Sequence, residues 1–184
     1  CKHDGHVHFR LNLLSGGVNW IAVSEASWEF HENDNVDIAV WNTGWSDQEM
    51  STHDHLAIVT DDFVTPSSAE RVSPGGDLFF PGLLTHHVGL EKNIPIIRRG
   101  TVAAVPDDPI RLKGGLSTKA YLAELRSIGG HSGSPVFYHT AATNMILGGN
   151  VIPVPSDQLM VGLVHGHFPH KENDYVAYDP IETG

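Results

Sequence analysis

A single cysteine in 184 residues, Cys1, leaves the chain without the means to form an internal disulfide, so its stability must come from burial and hydrogen bonding. Basic residues are scarce too: 11 Lys and Arg stand against 22 Asp and Glu, a formal charge of −11. That balance repels phosphate backbones and anionic lipid headgroups, so neither nucleic acid nor a membrane is expected as a partner. No apolar run approaches the roughly 20 residues of a membrane-spanning helix, and no charged-then-apolar leader opens the chain, which reads as soluble. Helical spacing is rare, and there is no internal repeat or low-complexity tract. With 40% hydrophobic and 18% charged residues, the composition is that of one or two packed domains. The chain begins at Cys1-Lys2-His3 without Met and stops at Ile181-Glu182-Thr183-Gly184 with neither a helical pattern nor a polar tail; truncation at both ends is expected.

What the chain has in quantity is short β-like runs separated by Gly, Pro, Asn and Asp. Val7 to Leu13, Asn19 to Val23 and Val36 to Trp41 form a first group. A second comprises Asp77 to Leu84, Ile94 to Val105, Ala120 to Leu125, Ser134 to Tyr138, Asn144 to Ile152 and Met160 to His165. Turn formers crowd the stretch from Thr65-Pro66 to Gly75-Gly76, which is taken as the linker between a domain at 1–66 and another at 67–184. Regular short strands of this kind predict an all-β, barrel-like fold.

The strongest chemical signal is Gly129-Gly130-His131-Ser132-Gly133-Ser134-Pro135-Val136-Phe137. A serine hydroxyl attacks a carbonyl only where the backbone holds it exposed, and glycines on either side permit that. The amides of Gly130 and Ser132 are then the candidates to meet a developing oxyanion. A plain glycine-rich turn between strands is the alternative.

This segment resembles the nucleophile motif of the trypsin-like (chymotrypsin-like) serine peptidases, bacterial members in particular. Val36-Asp37-Ile38-Ala39-Val40 is similar to the strand in which they carry the triad aspartate, and Cys1-Lys2-His3 resembles the end of their histidine segment, with Cys1 where alanine is usual. The resemblance implies a two-barrel fold whose first barrel is incomplete in this chain, and a triad of His3, Asp37 and Ser132 in the family's chain order. Gly76 to Leu83 and Pro95 to Gly100 resemble strands of the second barrel. Val161 to His167 looks like the strand that pairs with an extended substrate, so Val164, His165 and Gly166 are implied as substrate-binding residues. His131 stands where an acidic or amide residue is common. The activity implied is endopeptidase hydrolysis through an acyl-enzyme, with a peptide or protein substrate and no cofactor or metal.

Specificity stays open between an acidic pocket, served by His165, His167 or Arg126, and an apolar one at Val164. Two other readings are carried along. The first is a catalytically inactive binding domain of the same fold. The second is a zinc hydrolase, because His3, His6 and His8 have metal-ligand spacing and Thr52-His53-Asp54-His55 resembles part of a metallohydrolase signature. His86, His87, His139 and His170 are read as surface loop residues, and Trp20, Trp28, Trp41 and Trp45 as core or rim aromatics. Compartment and oligomeric state have no signature in the sequence.

Overall fold

The computed structural model describes residues 2–3, 5–33, 36–83, 89–111, 117–125, 131–140, 143–147, 150–154, 157–165 and 179–182, with backbone alone at 2–3, 143–147, 150–154, 157 and 179–182. Alternating sequence becomes strand nearly everywhere: β1 (Lys2–His3), β2 (His6–Asn12), β3 (Val18–Ser24), β4 (Glu29–Phe30), β5 (Ala39–Val40), β6 (Asp77–Leu83), β7 (Pro95–Ala104), β8 (Ile110–Arg111), β9 (Ser117–Thr118), β10 (Ala120–Leu125), β11 (Pro135–Thr140), β12 (Thr143–Leu147), β13 (Asn150–Val154), β14 (Asp157–Leu163) and β15 (Asp179–Glu182). The fold is all-β. A single α-helical turn, α1 (Asp47–Met50), is held at its start by Ser46 and Glu49, each bonding the other's backbone amide; this capping box stabilises a helix too short to form by propensity. Among the described residues no helix is long and apolar enough to cross a membrane.

The chain divides into two compact units, residues 1–57 with 83–96, and residues 58–82 with 97–184. In the second unit the strands β10-β15-β14-β11-β6-β7 close into a barrel. Alternation places Leu78 and Phe80 of β6, Val136 and Tyr138 of β11, and Leu159 and Val161 of β14 in one core with Val102 of β7. Leu78, Phe80, Val102, Val136 and Val161 are completely enclosed, each worth about 1.5–3 kcal/mol of burial. A β-bulge interrupts β11 against β14, where Val136 pairs with Gly162 but Phe137 with Met160.

The first unit is built differently. Its sheet runs β1-β2-β3, with β4 and β5 as a separate pair. Val23 is its one fully buried hydrophobic side chain among the described residues. Packing comes instead from a chain of rings: Phe9 stacks at 5.8 Å on both Trp28 and Trp41, Trp41 meets the edge of Trp45 at 6.5 Å, and Trp45 stacks on His53 at 4.8 Å. Trp28, Trp41 and Trp45 are thus packing residues, while Trp20 is 63% exposed.

Several expectations change in detail. The division expected between residues 66 and 67 does not coincide with the division by packing. Val64 N–H donates to Met160 O and Phe63 bridges Met160, which draws the turn-rich stretch into the barrel unit. Conversely, the Asn12 side chain accepts from Asn93 N–H at 2.7 Å and donates to Asn93 O at 3.0 Å, and Arg10 donates to Leu90 O, tying residues 89–93 to β2. Of Val36 to Trp41, only Ala39–Val40 joins a ladder. The run expected from Asn144 to Ile152 is a hairpin, β12 against β13, with Leu147 opposite Asn150; Gly148-Gly149 between them in sequence is a strong hairpin signal. His139 lies on β11, not in a loop, and its ring meets Phe79 edge-on at 5.9 Å. His86, His87 and His170 fall outside the described residues.

Candidate active site

Ser132 occupies the tip of a tight turn. Ser134 N–H donates to His131 O at 2.9 Å, and Gly133, third of the four residues, has φ +81°. That is the arrangement of a type II turn, whose third position requires the left-handed backbone that glycine adopts without strain. The sequence His131-Ser132-Gly133-Ser134 therefore favours a turn that leaves Ser132 and Gly133 exposed while its two ends are buried: His131 is 4% and Ser134 9% exposed.

Two backbone bonds tie this turn to Val164, the residue that follows β14. Gly133 N–H donates to Val164 O at 2.6 Å, and Val164 N–H donates to Ser134 O at 2.9 Å. Both backbone groups of Val164 are thereby occupied, and its side chain belongs to the barrel core. Val164 thus supports the serine turn through its backbone, and His165, the next residue, is half-buried.

On its other side the turn is held through His131. Arg98, on β7, donates its Nε–H to His131 Nε2 at 2.8 Å. A guanidinium cannot accept, so Nε2 carries the lone pair and the neutral ring bears its proton on Nδ1. The imidazole lies over Gly82 of β6: a Cβ there would stand 3.2 Å from His131 Cδ2 and Nε2 and 2.9 Å from Ser134 Oγ. Neither Arg98 nor Gly82 was singled out by the sequence reading. The available signal was strand parity, because Arg98 shares a face of β7 with Ile96, Gly100 and buried Val102, an uncommon place for a cation. Its neighbour Arg99 faces the other way and pairs with Asp77 at 2.8 Å.

His3 and Asp37 lie in the first unit. His3 ends β1, its backbone opposite His6. Asp37 is exposed, in the extended residues leading to β5, where His31 N–H donates to Ile38 O at 3.2 Å. Ser132, Val164 and His165 lie in the second unit. Gly130 and Gly166, with Arg126 and His167, fall outside the described residues.

His53, part of the metallohydrolase-like segment, is 7% exposed. Its Nε2 meets the Asn19 side-chain amide at 3.3 Å and its Nδ1 the Glu49 carbonyl at 2.9 Å, so both ring nitrogens serve the fold. Among the described residues no three His, Cys, Asp or Glu side chains are grouped to hold a metal ion.

No family model, curated protein or solved structure matches this chain.

Proposed function

We propose that the chain is a serine endopeptidase domain of the trypsin-like, two-barrel type. The observation that carries this reading is the Ser132 turn, in which an exposed serine stands on a backbone fixed by glycine geometry and by hydrogen bonds to Val164, just after β14. In the proposed reaction Ser132 Oγ attacks a peptide carbonyl and His3 accepts its proton. The tetrahedral intermediate collapses as His3 passes that proton to the leaving amine, forming an acyl-enzyme that water hydrolyses by the same route. Asp37 has the role of orienting the imidazole and balancing its charge. The amides of Gly130 and Ser132 are assigned to the oxyanion, and donors of this kind contribute about 100- to 1000-fold each in related chemistry.

The test is covalent labelling by a fluorophosphonate probe, with the adduct located by peptide mass mapping. Labelling at Ser132 that disappears in Ser132→Ala supports the proposal. An inert wild-type chain, or undiminished labelling in Ser132→Ala, overturns it. Inertness would leave the binding-domain reading standing.

A further inference from the structure

Nucleophile turns of this kind must be rigid, because a displacement of about 1 Å at a reacting atom can cost about 100-fold in rate. Ser132 itself is exposed, so burial does little to hold it. Its rigidity must come from the residues on either side. On the C-terminal side, Gly133 and Ser134 are bonded to Val164. On the N-terminal side the anchor is a side chain: the His131 ring is enclosed, lies over Gly82, and accepts the Arg98 Nε–H bond at 2.8 Å. The same residue's carbonyl receives the Ser134 amide that closes the turn. The seated ring and the carbonyl that closes the turn therefore belong to one residue, and fixing the ring restricts where that residue's backbone can lie.

We infer that Arg98 is a positioning residue for Ser132, acting through the His131 imidazole that it holds against Gly82. The inference rests on the proposal that Ser132 is a nucleophile, and it adds the element that aims it. Arg98 is 33 residues from its partner and on a different strand, so the coupling makes β7 part of the site. An arginine in this place has a chemical reason. It is a donor that retains its protons throughout the accessible pH range, so it selects the Nδ1–H tautomer of His131 and never competes for the same lone pair. A long stem lets it reach an inward position while keeping its charge near solvent.

The experiment uses the full chain labelled with nitrogen-15, with ring and amide resonances compared in wild type, Arg98→Met, Arg98→Lys and Gly82→Ala; loss of a ring signal in His131→Gln assigns that ring. Expected in wild type is a His131 ring protonated at Nδ1 and bare at Nε2. Arg98→Met preserves the stem and removes the donor. It should release that tautomer, shift the amides of Ser132, Gly133 and Ser134, and slow probe labelling of Ser132 by about 10- to 100-fold while strand resonances in β11 and β14 stay in place. Arg98→Lys should recover part of the labelling rate, and Gly82→Ala should disturb the same amides from the opposite side. A His131 ring protonated at Nε2 in wild type overturns the inference, as does an Arg98→Met chain that labels at the wild-type rate. If wild type does not label at all, the nucleophile proposal falls alone. The amide shifts then decide whether Arg98 sets the turn, and unchanged shifts refute it. Should Arg98→Met fail to fold, Arg98→Lys and Gly82→Ala carry the same readouts.

Discussion

At the scale of single residues, the site depends on what glycine permits and what a buried ring requires. Gly133 allows a left-handed step immediately after Ser132, and Gly82 leaves the space that His131 fills. Sequence spacing pointed to the first, since glycine at the third position of a short segment ahead of a strand signals a tight turn. It could not point to the second, because Gly82 and His131 meet only after β6 is folded. Glu49 shows a residue effect of another kind. The Ser46 backbone amide, then the Ser46 hydroxyl, hold its carboxyl below the usual glutamate value. A carboxyl depressed in this way supports α1 above its unfolded value, and the support is lost as pH falls through the lower folded value. A carboxyl-carbon NMR titration should place the Glu49 midpoint below that of an unstructured peptide, and Ser46→Ala should raise it only in part, because the amide bond is retained. A midpoint at or above the peptide value would contradict the capping geometry.

Among the elements, β6 and β7 carry most of the consequence. β6 supplies Leu78 and Phe80 to the core and ends at the Gly82 seat; β7 supplies Val102 to the core and Arg98 to the serine turn. The pairing of β7 with β10 tolerates no bulk at Gly100, where an added Cβ would stand 2.5 Å from Glu124 O and 2.9 Å from Leu125 Cβ, and 3.2 Å from Phe80 of β6. Because a backbone carbonyl cannot rotate aside, Gly100→Ala must part β7 from β10. A loss of about 1–3 kcal/mol is expected in chemical denaturation, together with weaker protection of the Glu124 and Leu125 amides; a variant as stable as wild type would show that the ladder yields. Strand existence was readable from alternation in β2, β3, β6, β7, β10 and β11. The β12–β13 hairpin reads in the sequence as one run from Asn144 to Ile152: Gly148-Gly149 offers a turn signal, but the apolar residues on both sides fit one strand or two until a register is chosen.

For the whole molecule, the contrast lies between a barrel with a continuous buried apolar core and a unit packed through stacked rings and side-chain amides. All ten members of the buried core cluster lie in the barrel unit. Local opening is governed by how much apolar contact must be broken, so amide hydrogen exchange should be slowest in β6, β11 and β14 and faster in β2 and β3. The reverse order would mean that the aromatic chain, and not the barrel, is the more cooperative part. The sequence by itself determined the β class, the Ser132 turn and the acidic surface charge, because a period of two, the φ of glycine and the sum of charges are local or additive properties. Only the tertiary structure decided that residues 89–93 rejoin β2 through Asn93, that residues 58–82 belong with the barrel, that Val164 is buried behind the serine turn, and that Arg98 holds His131. Each of these depends on which non-adjacent strands become neighbours and in what register, and a one-residue slip would turn Arg98 to the opposite face.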